Sequence, residues 1–77
     1  MTDTLDLKGL KCPLPALRTR KALRSMVPGD EIIVHCTDPL SRIDIPNLLH
    51  ETGDLLRAVD EEAGVLIFRV RKGDRHR

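Results

Sequence analysis

The sequence predicts an α+β fold: a two-layer α/β sandwich of order β-α-β-α-β-β. Three observations lead there. Apolar residues alternate with polar ones around Leu5 and Leu7, from Glu31 to Cys36 and from Val65 to Lys72, which is the period of a strand. Between them, stretches opening near Pro13 and near Asp44 carry apolar residues at helical spacing. Gly and Pro fall between these runs, at Gly9, Pro28-Gly29, Gly53 and Gly64. Two helices on one face of a mixed sheet of about four strands bury all of these stripes at once.

The elements follow in order. Leu5 and Leu7 face inward on a short first strand that Gly9 ends. A helix from Pro13 to about Met26 presents Ala16, Leu23 and Val27 inward, and Leu17, Thr19 and Met26 widen that stripe. Pro28-Gly29-Asp30 stops it. Ile32, Val34 and Cys36 line the inner side of the second strand, with Glu31, Ile33 and His35 on the other. Pro46 is expected to break a helix begun at Pro39, so the second helix is placed from Asp44 or Ile45 to Thr52, stopped by Gly53. Leu55 to Asp60 read as a third strand and Glu61-Glu62-Ala63-Gly64 as a hairpin turn. A fourth strand, Val65 to Lys72, turns Leu66, Phe68 and Val70 inward.

The 77 residues are expected to form a single domain, 1–77, ordered over about 4–72, with a polar tail at 73–77. A chain of this length buries only about 60–65% of its unfolded surface, which makes stability marginal. A net charge of +1 does not favour nucleic acid, and Phe68 as sole aromatic leaves no platform for stacking bases. No direct nucleic-acid contact is therefore expected. No apolar run is long enough for a membrane span or a signal peptide, so no membrane contact and a cytoplasmic location are expected. Thiols stay reduced there, and two cysteines make no disulfide framework.

Cys12-Pro13-Leu14-Pro15 is the stretch that carries chemistry. Proline is tolerated in a first helical turn, where its missing N–H has no partner to lose. Pro13 and Pro15 therefore frame a helix start and put Cys12 at or near the N-cap. The helix N-terminus, with Lys8 and Lys11 on the incoming loop, is expected to lower the thiol pKa and favour the nucleophilic thiolate. Cys36 reads instead as a packed apolar residue. Arg18, Arg20, Lys21 and Arg24 make a basic helix face, either simply solvated or a docking patch for an acidic partner. Cys12, Cys36, His35, His50 and His76 do not have metal-ligand spacing, and no metal site is expected.

Leu7-Lys8-Gly9-Leu10-Lys11-Cys12-Pro13-Leu14-Pro15 resembles the N-terminal signature of the TusA/SirA family of small sulfur carriers. Arg20-Lys21-Ala22-Leu23, Pro28-Gly29-Asp30, Thr37-Asp38-Pro39 and Asp44-Ile45-Pro46 continue the match, which spans Leu5 to Gly73. The resemblance implies the same β-α-β-α-β-β fold and a cysteine, Cys12, that accepts sulfur as a persulfide. It implies a cysteine desulfurase or another sulfur-transfer protein as donor. Acceptor proteins include a tRNA-thiolation relay, sulfur oxidation or cofactor assembly, and no cofactor is required. Catalysis is thus assigned to Cys12, its frame to Pro13 and Pro15, and candidate partner docking to Lys8, Lys11, Arg20 and Lys21. Such a protein is a sulfurtransferase-type carrier rather than a stand-alone turnover enzyme. The sequence departs from the pattern where a second cysteine and an aromatic residue often follow Pro46, and where Asp54 stands in place of a frequent histidine. Two other readings stand beside it: a regulatory or nucleic-acid-binding module, and a thiol redox sensor joining Cys12 to Cys36.

Overall fold

A computed structural model describes residues 2–73 of the chain, so Asp74 to Arg77, with His76 and most of the expected tail, lie outside the described residues. The order is β1 (Thr2–Leu7), α1 (Leu14–Arg24), β2 (Glu31–Cys36), α2 (Ser41–Thr52), β3 (Leu55–Glu62) and β4 (Val65–Arg71). The predicted architecture is the observed one. The strands form one mixed sheet in the order β1-β2-β4-β3. β1 runs parallel to β2, and β4 runs antiparallel to both β2 and β3. The last strand thus occupies an interior position, between two strands made earlier.

The register explains the core. Ile32 faces Val70, Val34 faces Phe68 and Cys36 faces Leu66, so every second residue of the two central strands lies on one side. All six are buried, and Leu7, Leu23, Ile45 and Leu49 complete the same cluster. Both helices therefore cover one face. On the other face Ile33, His35, Val65 and Ile67 are only half-buried. β3 is an edge strand exposed along its length. A bulge between Leu56 and Ala58 and the charges of Arg57, Asp60, Glu61 and Glu62 blunt that edge against unwanted pairing.

Several boundaries differ from the sequence reading. α1 buries Pro15, Thr19 and Leu23, a stripe at i, i+4 and i+8, and leaves Leu17 exposed, while Val27 lies beyond its end and is exposed too. Thr19 sits within that stripe because its hydroxyl donates to the Pro15 carbonyl at 2.7 Å. α1 stops at Arg24, where Ser25 leaves helical geometry and its N–H turns back to the Ala22 carbonyl. The hairpin turn is only Ala63-Gly64, both at positive φ, a two-residue form that matches strand twist and lets β3 run on to Glu62.

The largest difference is α2, which starts at Ser41 and runs through Pro46. Asp38 makes this start possible. Its Oδ1 accepts the Leu40 N–H at 3.1 Å and its carbonyl accepts the Ser41 N–H at 3.0 Å. Proline inside a helix costs about 3 kcal/mol. Ile45, Leu48 and Leu49, next to Pro46 on both sides, are at most 5% exposed. Burial at about 1.5–3 kcal/mol per side chain outweighs the missing bond.

The chain closes on itself at the far end of the sheet. The Asp54 carboxylate is buried and accepts the Gly73 N–H at 2.9 Å and the Thr52 hydroxyl at 2.6 Å. A Cβ on Gly73 would lie 2.1 Å from the Gly53 carbonyl oxygen, so only glycine fits there. Gly73→Ala is expected to destabilise the fold by about 2 kcal/mol, lowering Tm by roughly 10 °C. A thermal melt followed by far-UV circular dichroism reads this directly.

Candidate functional site

The site lies where the parallel pair ends. Leu7 and Cys36 are opposite one another as the last residues of β1 and β2, so the two loops leading to α1 and α2 leave the sheet side by side. Ligand crevices commonly form at such carboxyl ends. Gly9, at φ +87, turns the first loop, and its N–H donates to Thr37 Oγ1 of the second loop at 2.9 Å. The Cys12 N–H donates to Asp38 Oδ2. The Cys12 thiol donates to Asp44 Oδ2 at 2.8 Å. Both hydrogen-bond donors of Cys12 are thus held by carboxylates, Asp38 in the β2–α2 loop and Asp44 in the first turn of α2.

Cys12 is exposed, as a reacting thiol requires, and Cys36 is fully buried. The cysteine is not the N-cap. Pro13 holds that place, Leu14 is the first helical residue, and Pro15 follows as the second, where a proline loses no hydrogen bond. The Cys12–Pro13 peptide is cis.

These positions overturn the expected direction of the thiol pKa. The Asp44 carboxylate accepts a hydrogen bond from the protonated thiol, and this, with partial desolvation and the charges of Asp44 and Asp38, raises the pKa above its ordinary value. The helix dipole works the other way, but it falls off within the first turn and is worth only about 0.3–1 kcal/mol at a surface. Cys12 lies one residue beyond the cap, with two anions at hand. Asp38, by contrast, is held below the usual carboxylate range by the N–H groups of Cys12 and Leu40 and by the charge of Lys11. Burial pushes the Cys36 thiol up, against a smaller opposing effect of the Ser41 hydroxyl.

A groove of about 280 Å³ runs from the sulfur along the seam between the helices, lined by Leu17 and Arg20 of α1 and by Asp44, Asn47 and Glu51 of α2. A second hollow, bounded by Leu10, Lys11, Thr37 and Leu40, lies on the other side of Cys12. Of the basic residues singled out in the sequence, Arg20 and Lys11 border these depressions. Arg20 pairs with Glu51 at 3.1 Å. Lys8 pairs instead with Asp6 at 3.3 Å, and Lys21 is exposed on α1 outside both depressions. Among the described residues, no group of His, Cys, Asp and Glu is placed to hold a metal ion. Phe68 is wholly inside the core. No helix of the described residues is long and apolar enough to cross a membrane.

Sequence reasoning used Asp38 and Asp44 only as parts of the family resemblance, and Asp44 also as a helix start, and missed their contact with Cys12. The signal was present in part: two acids open the second helical segment, and a β-α-β unit brings successive helix starts to the same end of a sheet.

A family model described as Sulfurtransferase TusA matches residues 3–72. The sulfur carrier protein TusA of Pseudomonas entomophila is 39% identical, over 94% of this chain and 96% of its own length. The sulfur carrier protein TusA of Allochromatium vinosum is 41% identical, over 88% and 90%. In three dimensions the chain is similar to the crystal structure of the SirA-like protein from Desulfitobacterium hafniense, with a TM-score of 0.79 at 25% identity, covering 94% of this chain and 99% of that one.

The thiol chemistry has a measurable sign. A raised pKa leaves less thiolate at neutral pH, and the thiolate is the species that alkylates. The iodoacetamide rate of Cys12 is expected to rise through a midpoint displaced to higher pH than that of a cysteine in an unstructured peptide. A midpoint at lower pH than the peptide's would contradict the contact with Asp44.

Proposed function

The chain belongs to the TusA sulfurtransferase family, and from that premise we propose that it is a sulfur carrier whose working residue is Cys12. The donor is a cysteine desulfurase or another sulfur-transfer protein, and the acceptor is a further protein of the relay, in the cytoplasm. The observation that supports this reading best is the exposure of Cys12 between two grooves, within the stretch that the family model matches. The second thiol of the chain is sealed in the core.

The cycle has two exchanges. Cys12 Sγ attacks the outer sulfur of a donor persulfide, a new S–S bond forms, and the donor sulfur departs with the electron pair of the broken bond. The proton from Cys12 ends on that departing thiol. Cys12 then carries a persulfide, and an acceptor thiol removes its outer sulfur by the same exchange in reverse. Oxidation state is conserved across the two exchanges, so the cycle needs proteins on both sides and no redox partner. Pro13 and Pro15 contribute by fixing where the helix starts and hence where the sulfur sits. Cys36 takes no part.

Docking is assigned to the basic flank of the groove. Arg20 lines it, Lys21 follows on the same helix, and Lys8 and Lys11 lie on the loop that delivers the cysteine. Charge complementarity at such a rim sets encounter rate more than final affinity.

Incubation with a cysteine desulfurase and cysteine, followed by intact mass spectrometry, tests the assignment. One added sulfur is expected on the wild type and on Cys36→Ala, and none on Cys12→Ala. Sulfur on Cys12→Ala, or none on the wild type with any sulfur donor protein, would overturn it. Reversal of the basic flank, Arg20→Glu with Lys21→Glu, is expected to slow sulfur acceptance about tenfold at low salt and much less at 1 M salt, where the Debye length is about 3 Å. An equal slowing at both salts would remove steering as the role of these residues.

A further inference from the structure

The electrostatic setting of Cys12 runs against what sulfur acceptance demands. A nucleophilic sulfur must shed its proton, and this one donates that proton to Asp44 Oδ2 at 2.8 Å. The backbone N–H of the same residue is taken by Asp38. The cations of the neighbourhood are engaged with other acids: Arg20 with Glu51 in the groove, and Lys8 with Asp6 on the incoming loop. Lys11 is exposed and acts on Asp38 from the loop before the cysteine. Facing the sulfur are therefore Asp44 from α2 and Asp38 from the β2–α2 loop, with the Arg20–Glu51 pair further along the groove. The half-buried carboxylate of Asp44 is thus the charge in direct contact with Sγ.

We propose that Asp44 sets which sulfur donors Cys12 accepts: its carboxylate retains the thiol proton in the free protein, and a cationic group beside the donor's sulfur frees the thiol by pairing with that carboxylate. This inference rests on the reading of Cys12 as the sulfur-bearing residue. A donor that presents Lys, Arg or an ammonium next to its persulfide draws the Asp44 carboxylate into an ion pair. The hydrogen bond to Cys12 is then lost, and the proton leaves with the departing donor thiol as the new S–S bond forms. A donor with an anion at that position meets repulsion from Asp44 and leaves the hydrogen bond in place. The site thereby discriminates by charge, and the free carrier is slow toward unspecific electrophiles and oxidants.

Small disulfides report this selection without any partner protein. The Cys12 sulfur bonds to one sulfur of the probe, the probe's S–S bond breaks, and its other half leaves as a thiol. Rates of mixed-disulfide formation are measured on the full chain at neutral pH with cystamine, which carries two ammonium groups, and with dithiodiglycolate, which carries two carboxylates. Cys12→Ser serves as the blank. At ~6 Å in water one unit charge changes such a rate about threefold in either direction, so the two probes are separated by about tenfold through Asp44 alone. Asp44→Asn is expected to reduce the cystamine-to-dithiodiglycolate ratio about tenfold and to speed alkylation by neutral iodoacetamide severalfold. Asp44→Glu is expected to retain a high ratio, and 1 M salt to collapse the wild-type ratio.

An unchanged ratio in Asp44→Asn, or slower alkylation, overturns the proposal. Should Asp44→Asn fail to fold, a wild-type ratio near one at low salt overturns it equally, and a high ratio that salt abolishes supports it. Failure here, with Cys12 still gaining sulfur from a desulfurase, sinks only this selection role. Absence of that sulfur gain sinks the carrier reading itself.

Discussion

The in-register parallel pairing of β1 with β2 is the constraint on which the site depends. Because Leu7 and Cys36 end their strands opposite each other, the two following loops have no choice but to run together. Each then supplies what the other lacks. The first brings backbone N–H groups at Gly9 and Cys12, and the second brings the side-chain oxygens of Thr37 and Asp38 that accept them. Asp38 bonds both loops, since its other oxygen receives the Leu40 N–H at the start of α2. A slip of one residue between β1 and β2 would turn Leu7 out of the core and separate these partners. The core and the site are therefore specified by one and the same register.

The chemistry of the site is decided by contact rather than by the long-range field of a helix. A cysteine before two prolines suggests an anion-stabilising helix start, and the sequence supports no finer statement. In three dimensions the thiol meets a carboxylate from another helix, 32 residues along the chain. One charge at hydrogen-bond distance outweighs a dipole seen from outside its first turn. The result is a sulfur that is accessible yet held as a thiol, which separates exposure from reactivity.

Much of the fold was legible because the chain obeys its periods. Ile32-Val34-Cys36 and Leu66-Phe68-Val70 alternate without exception, and both runs are buried as the alternation demands. Fold class and element order follow from those runs and from the glycines between them. The start of α2 was not legible, because Pro46 carries a strong local penalty and the compensating bonds from Asp38 and the packing around Ile45 and Leu49 are visible only once the layers are assembled. Part of the inward stripe of α1 differs from the sequence reading for a related reason. Thr19 and Leu23 are inward as the spacing predicts, but proline, here Pro15, does not advertise burial, whereas Leu17 and Val27 do and are exposed. Of the site, Cys12 and its proline frame could be read from adjacency, but the Asp44 contact joins residues far apart in the chain, and no local pattern encodes it.

The position of β4 has a bearing on how the protein is made. This strand, last in the described chain, lies between β2 and β3 and supplies Phe68 and Val70 to the centre of the core. On the ribosome, β1 and β2 can pair early, but β3 has no neighbour to join until β4 has left the exit tunnel. Until then Ile32, Val34 and Ile45 lack the contacts that Phe68 and Val70 give the core cluster. The strand that fills this gap joins the two halves of the sheet and completes the core in the same place.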